Sequence, residues 1–203
     1  MRAAEAPWKV VVPHDGVTYE DAVAAGSIPT RDGSWHDALN VLAFVRFPRA
    51  KVALHGRVLA LRRARVAAAT PTPGRRSREE DALTLLDECA LLIGGPPGAL
   101  AALADARASG SLEAIDAVVR GASLHVACFG HALLEHLALG RPPIGAGVVA
   151  LPTVEASDDA LDRALADAIE AGGFVTPRLS PTVPWPDPVV DAWFARPDDR
   201  RRD

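Results

Sequence analysis

The chain has 203 residues, 49% of them hydrophobic, and a formal net charge of −4. That length and composition suit a single domain with a substantial core and exclude wholesale disorder. No apolar run approaches the roughly 20 residues that a membrane-spanning helix needs, and the opening Met1-Arg-Ala-Ala-Glu-Ala-Pro-Trp-Lys9 lacks the apolar centre of a secretory signal. Cys89 and Cys128 are the only cysteines, each inside an apolar segment. Two buried free thiols on strands of one sheet are expected, and with them a reducing, cytoplasmic setting.

The charge is unevenly spread. From Arg46 to Arg78 there are ten basic side chains and no acidic one, so the rest of the chain carries −14, the difference between −4 and +10. Such a block either meets an anionic partner or is the solvated face of a helix in an Arg-rich protein. Aromatic residues are 5% of the chain, and none interleaves with the arginines after Phe47. Binding of single-stranded nucleic acid by stacking is therefore not expected.

In chain order, residues 8–13 read as a short strand stopped by Pro13, and His14-Asp15-Gly16 as a turn. Thr18 caps a short helix over 19–25 that Gly26 ends. Pro29 to Gly33 is a loop. Ser34 is an N-cap, and residues 34–47 form one helix with Leu39, Leu42, Val45 and Phe47 on its apolar side. Trp35, beside that side, is expected to be buried, with Trp35→Ala costing about 3–5 kcal/mol. Pro48 fits the first turn of the next helix, which runs to about Ala69 with Val52, Leu59 and Val66 at sevenfold spacing and Lys51 and His55 on the other side. A Pro/Gly-rich connection over 70–77 leads to a helix from Arg78 to about Glu88, with Ala82, Leu83 and Leu86 inward.

Cys89 to Ile93 is a short buried strand. Ala-rich helices follow near 97–107 and 111–120. Strands are expected over 123–129 and 145–151, and Ser157 caps a helix from Asp158 to Ala171. Residues 175–203 are rich in proline and are expected to wrap the surface irregularly, anchored by Trp185, Trp193 and Phe194. The pattern is an α+β domain, mostly helical with a small sheet.

Three clusters can carry chemistry. In Trp35-His36-Asp37-x-x-Asn40, His36 and Asn40 lie four apart on one helix face. In Asp81 to Glu88, Asp87 and Glu88 end a helix where carboxylates oppose the dipole, a local conflict that hints at a functional demand. In Gly130 to Glu135, His131 sits at a helix start, which disfavours imidazolium and leaves the neutral ring that binds metal or acts as a base. Glu135 shares its face and can ligate the same ion or orient the histidine. His125 and His136 read as core or surface residues.

These blocks, together with Pro29-Thr-Arg31 and Phe47-Pro-x-x-Lys51-x-x-Leu54, resemble the domain-of-unknown-function family DUF3025, a group of bacterial proteins. His55 and Cys89 stand where the resemblance leads one to expect Asn. The resemblance brings no known reaction. It does imply that the three polar clusters belong to one site.

Two function classes are compatible with these residues. In the first, an enzyme uses His36, Asp37, His131 and Glu135 catalytically, with Arg31, Asn40 and Lys51 around a small-molecule or anionic substrate. A divalent metal such as Zn²⁺, Mn²⁺ or Fe²⁺ held by His36, Asp87, Glu88, His131 and Glu135 would activate water for hydrolysis. A metal-free version would use His131 as base and a carboxylate as acid. Gly-x-Ser-x-Gly, a Walker-type loop and His-Glu-x-x-His are absent, so those classes are unsupported. In the second, the chain is a binding module: the 46–78 block holds an anionic partner and the polar clusters form a structural hydrogen-bond network.

Overall fold

The computed structural model describes residues 8–68, 76–121, 123–141 and 147–171. Its elements run β1 (Lys9–Val11), α1 (Tyr19–Ala24), β2 (Ser27–Pro29), α2 (Trp35–Arg46), α3 (Pro48–Ala67), α4 (Arg78–Cys89), β3 (Ala90–Gly95), α5 (Pro97–Ala108), α6 (Leu112–Gly121), β4 (His125–Cys128), α7 (His131–Ala138), β5 (Gly147–Pro152) and α8 (Asp158–Glu170). Five helix starts have a hydroxyl cap. Thr18, Ser34, Ser77, Ser111 and Ser157 each accept the backbone N–H three residues on, and Ser77 with Glu80 completes a reciprocal capping box. Pro48 and Pro97 occupy first helical turns, where the missing N–H costs nothing.

The organising strand is β3. It pairs antiparallel with β4 on one side and parallel with β5 on the other, and all six of its residues are buried. A strand covered on both faces reads as a continuous apolar run, as Ala90 to Ile93 does. Its side chains alternate between two cores, as the period of two requires. Ala90 and Leu92 join Phe47, Leu54, Leu83, Leu86, Phe129 and Leu161 under α3, α4 and α8. Leu91 and Ile93 join Leu103, Ile115 and Leu133 under α5, α6 and α7. A third, smaller core of Val23, Ile28 and Phe44 lies beneath the parallel pair β1–β2. The result is the mostly helical α+β fold that the pattern predicts.

The faces of two helices differ from the expectation. On α2, Leu39, Asn40, Ala43 and Phe44 are buried, whereas Leu42 and Val45 are exposed and Trp35 is 64% exposed. Phe44 sets this rotation, because it stacks on the His55 ring and packs against Trp8 in the small core. On α3, Leu59 is buried but Val52 and Val66 face outward, and Lys51 and His55 point in. The small side chains Ala50 and Ala53 let α3 lie close to its neighbours on that side, and Lys51 finds a buried carboxylate there.

Smaller differences remain. Both cysteines are free, as expected, but Cys89 ends α4 instead of starting a strand, and Cys128 is only half-buried. Ser27–Pro29, without a strand-like signal, pairs with β1. The Pro-rich segment 175–203 with Trp185, Trp193 and Phe194, the core of the 70–77 connection, and Gly145 lie outside the described residues.

Candidate metal centre

The three polar clusters meet where the start of α2, the end of α4 and the start of α7 converge. Gly130 makes the last approach feasible. A Cβ there would fall 2.5 Å from the Glu88 carbonyl oxygen and the amide nitrogens of Cys89 and Ala90. Gly130 N–H and Phe129 N–H both donate to the Ala90 carbonyl, at 2.9 and 3.0 Å. The first residue of α7, His131, is thereby set against the last turn of α4.

His36 Nε2 and His131 Nε2 face each other at 2.9 Å, with the rings edge-on and their centroids 4.4 Å apart. Glu88 Oε2 stands 3.3 Å from His131 Nε2 and 3.9 Å from His36 Nε2. The far nitrogens fix the tautomers. His131 Nδ1 lies 2.9 Å from the main-chain carbonyl of Asp87, which can only accept, so Nδ1 carries the proton. His36 Nδ1 lies 3.1 Å from Glu135 Oε2, so it too is the donor. A ring that is neutral with its proton on Nδ1 has a bare Nε2, and the two Nε2 atoms point at one spot beside a carboxylate oxygen. Lone pairs so placed repel unless a proton or a cation lies among them.

The electrostatics favour the neutral rings where burial is deep. Burial pushes the His131 pKa down to about 4, opposed by the Asp87 charge and helped by that of Lys51. The helix start was the expected cause of its neutrality; desolvation is the larger one. Burial raises the Glu88 carboxyl, and the Asp87 charge adds to this. Burial would also raise Glu135, but the hydrogen bond from His36 and the Arg141 guanidinium, 2.9 Å from Oε1, bring it below its usual value.

The other expected residues lie around the side chains of His36, Glu88 and His131. The Asp87 side chain does not face Nε2 of His36 or His131; its Oδ1 is bonded to the Lys51 ammonium, and its backbone carbonyl is what accepts the hydrogen bond from His131. Glu135 meets His36 from behind, with Oε2 3.1 Å from Nδ1, the geometry by which a carboxylate orients an imidazole. Asp37 turns away to a bidentate pair with Arg31, at 2.7 and 2.9 Å, and also accepts the Arg31 N–H. That guanidinium holds the Asp37 carboxyl far below the usual range. Arg31 and Asp37 thus form a surface clamp at the start of α2. Lys51, at 0% exposure, and Asn40, also buried, have no surface to offer a ligand.

Two further residues stand at the centre of this region: Tyr19, which gave no sequence signal, and His55, noted only for its position on the helix and in the resemblance. Tyr19 accepts a hydrogen bond from Asn40 Nδ2 at 2.7 Å. His55 is buried with its Nε2 3.9 Å from Asp87 Oδ2, and burial lowers its pKa to about 4. The basic block proves largely neutralised. Arg46, Arg49, Lys51, Arg57, Arg62, Arg63 and Arg65 each pair with a carboxylate from elsewhere in the fold.

No helix among the described residues is long and apolar enough to cross a membrane. Neither the curated proteins nor the solved structures contain a match to this chain. One family model does match, over residues 9–195, and takes in every residue of the cluster; the chain belongs to the family described as "Protein of unknown function (DUF3025)".

Proposed function

We propose that His36, Glu88 and His131 bind one divalent transition-metal ion and that the protein is a metal-dependent enzyme that activates water for hydrolysis. The supporting observation is the convergence of two Nε2 atoms and a carboxylate oxygen. Donors about 2.1 Å from a tetrahedrally bound ion stand about 3.4 Å from one another, and the separations here are 2.9, 3.3 and 3.9 Å. Both histidines donate their other N–H to an oxygen acceptor, as metal-binding histidines do. His36 and Glu88 are each 34% exposed in their side chains, so solvent reaches that side. Three protein ligands leave a coordination position for water, whose pKa a bound ion would lower toward neutrality. Two nitrogens and one oxygen suit Zn²⁺, Mn²⁺ or Fe²⁺.

The metal-free alternative has less support. An imidazole whose pKa is about 4 is a poor general base near neutral pH. The anionic-partner module loses its main feature, because the arginines that would carry it are already paired.

Elemental analysis of the purified protein, and titration of the chelator-treated protein with Zn²⁺, Mn²⁺ and Fe²⁺, test the reading. One ion per chain is expected, together with metal-dependent turnover in a screen of ester, amide and phosphoester substrates. His131→Ala should abolish binding with little loss of secondary structure. Glu135→Gln should weaken it about 10–100-fold. A wild-type protein that takes up none of the three ions would refute the centre.

A further inference from the structure

We infer that Lys51, although its ammonium is wholly buried, is a positioning residue for the metal centre and acts through Asp87; the inference rests on the metal reading above. A buried ion pair is a weak source of stability, because an apolar pair of similar shape packs as well without the desolvation cost. The Lys51–Asp87 pair nevertheless sits among core residues, with Asp87 near the end of α4. A carboxylate is unfavourable at that helix end, where free backbone carbonyls already concentrate negative charge. The Lys51 ammonium compensates for it and fixes the side chain.

What that fixation controls is visible one bond away. The Asp87 carbonyl accepts the hydrogen bond from His131 Nδ1–H, and the next residue is Glu88. Anchoring Asp87 therefore sets the tautomer and tilt of one proposed ligand and the position of another. The anchor is itself held from several directions. Lys51 Nζ donates to Asn40 Oδ1 at 2.6 Å, and the Asn40 amide is oriented by the Tyr19 hydroxyl. The rings of Phe44 and Phe129 lie 5.1 and 5.4 Å from the ammonium, within cation–π range. Asn40 shares a face of α2 with His36, so one helix carries both a proposed ligand and a support of the buried lysine. Tyr19, Asn40, Lys51 and Asp87 form a continuous chain of contacts that ends at His131.

The test uses Co²⁺ as the probe, since its visible d–d bands report ligand geometry as well as affinity. The double variant Lys51→Met/Asp87→Asn removes both charges and leaves no ion unpaired. Positioning predicts a folded protein whose Co²⁺ affinity is at least about tenfold weaker, with an altered band shape. A folded double variant that binds Co²⁺ as the wild type does, with the same spectrum, would show that the pair serves packing alone. Should the double variant not fold, Tyr19→Phe decides, because it loosens Asn40 without touching a charge. A measurable fall in Co²⁺ affinity supports the chain of contacts, and an unchanged affinity overturns it. Failure of the wild type to bind Co²⁺ would instead count against the metal centre itself.

Discussion

The two long faces of α2 have opposite surroundings from those their chemistry suggests. One carries His36 and Asn40 beside Leu39, Ala43 and Phe44, and it faces the interior and the α4–α7 junction. The other carries Trp35, Ala38, Leu42 and Val45 at helical spacing, and it faces solvent. Trp35 and Ala38 line a shallow apolar groove there with Val10, Val11 and Val12. The inner face carries His36 and Asn40 among its apolar residues because their partners are a histidine and a buried ammonium, and such groups must be bonded once water is removed. The outer face shows that apolar residues are inside only as a tendency, not a rule. Side-chain type alone did not orient this helix; the partners did.

The inner side should tolerate change least. Lys51→Met leaves the Asp87 carboxylate buried without its counter-ion, and burial, the largest influence on its pKa, then acts without the main group that opposes it. A loss of about 3–5 kcal/mol in urea unfolding at neutral pH is expected. A loss below about 1 kcal/mol would mean that water reaches Asp87 and that the inner face is less enclosed than its contacts indicate.

Acid should act on the same side. The His55 pKa, normally 6.5, is held at about 4 by burial, with Lys51 adding to this and Asp87 opposing it. A depressed histidine pKa means that the unfolded chain binds the proton more readily. Its effect is absent above the unfolded pKa and grows as pH falls from 6.5 toward 4, reaching about 3 kcal/mol of lost stability. His55→Phe, which retains a ring against Phe44, should roughly halve the slope of the urea-midpoint profile over that interval, because His131, also held at about 4 by burial, still contributes. A wild-type profile that is already flat would contradict the burial of the ring.

The outer face should be nearly silent. Trp35→Ala is expected to cost less than about 1 kcal/mol, measured in the same unfolding assay. A loss in the range for a buried aromatic, about 3–5 kcal/mol, would mean that something covers the groove in solution.

Local signals made the helix starts legible: Ser34, Ser77 and Ser157 cap where hydroxyls precede periodic segments, and Pro48 opens α3. The central strand was legible for a related reason, since a short apolar run closed by Gly94-Gly95 has few other uses. The meeting of His36, Glu88 and His131 could be anticipated because each broke the pattern of an apolar, Ala-rich chain. What each does there could not. Ligand and support differ by which atom faces which, and Asp87 enters through a main-chain carbonyl that no side-chain pattern reveals. The sevenfold spacing of Val52, Leu59 and Val66 misled because it ignores what α3 packs on. Tyr19 and Ser27–Pro29 were silent because a lone phenol and a three-residue strand acquire meaning only from distant partners.

The pairing of β3 also governs the order in which the chain can become native. Leu91 to Gly94 find their antiparallel partners at His125 to Cys128, but the parallel edge waits for Gly147 to Pro152, more than fifty residues downstream. Contacts closed over such lengths are slow to form, because the loop entropy is lost before the pairing offsets it. During synthesis β3 therefore leaves the ribosome well before β5 exists, and one edge of an apolar strand stays open in the interval. An unpaired edge of this kind is a template for other chains. Chains truncated before residue 147 should consequently aggregate instead of remaining as smaller native domains, even though every residue of the His36–Glu88–His131 cluster would already be present.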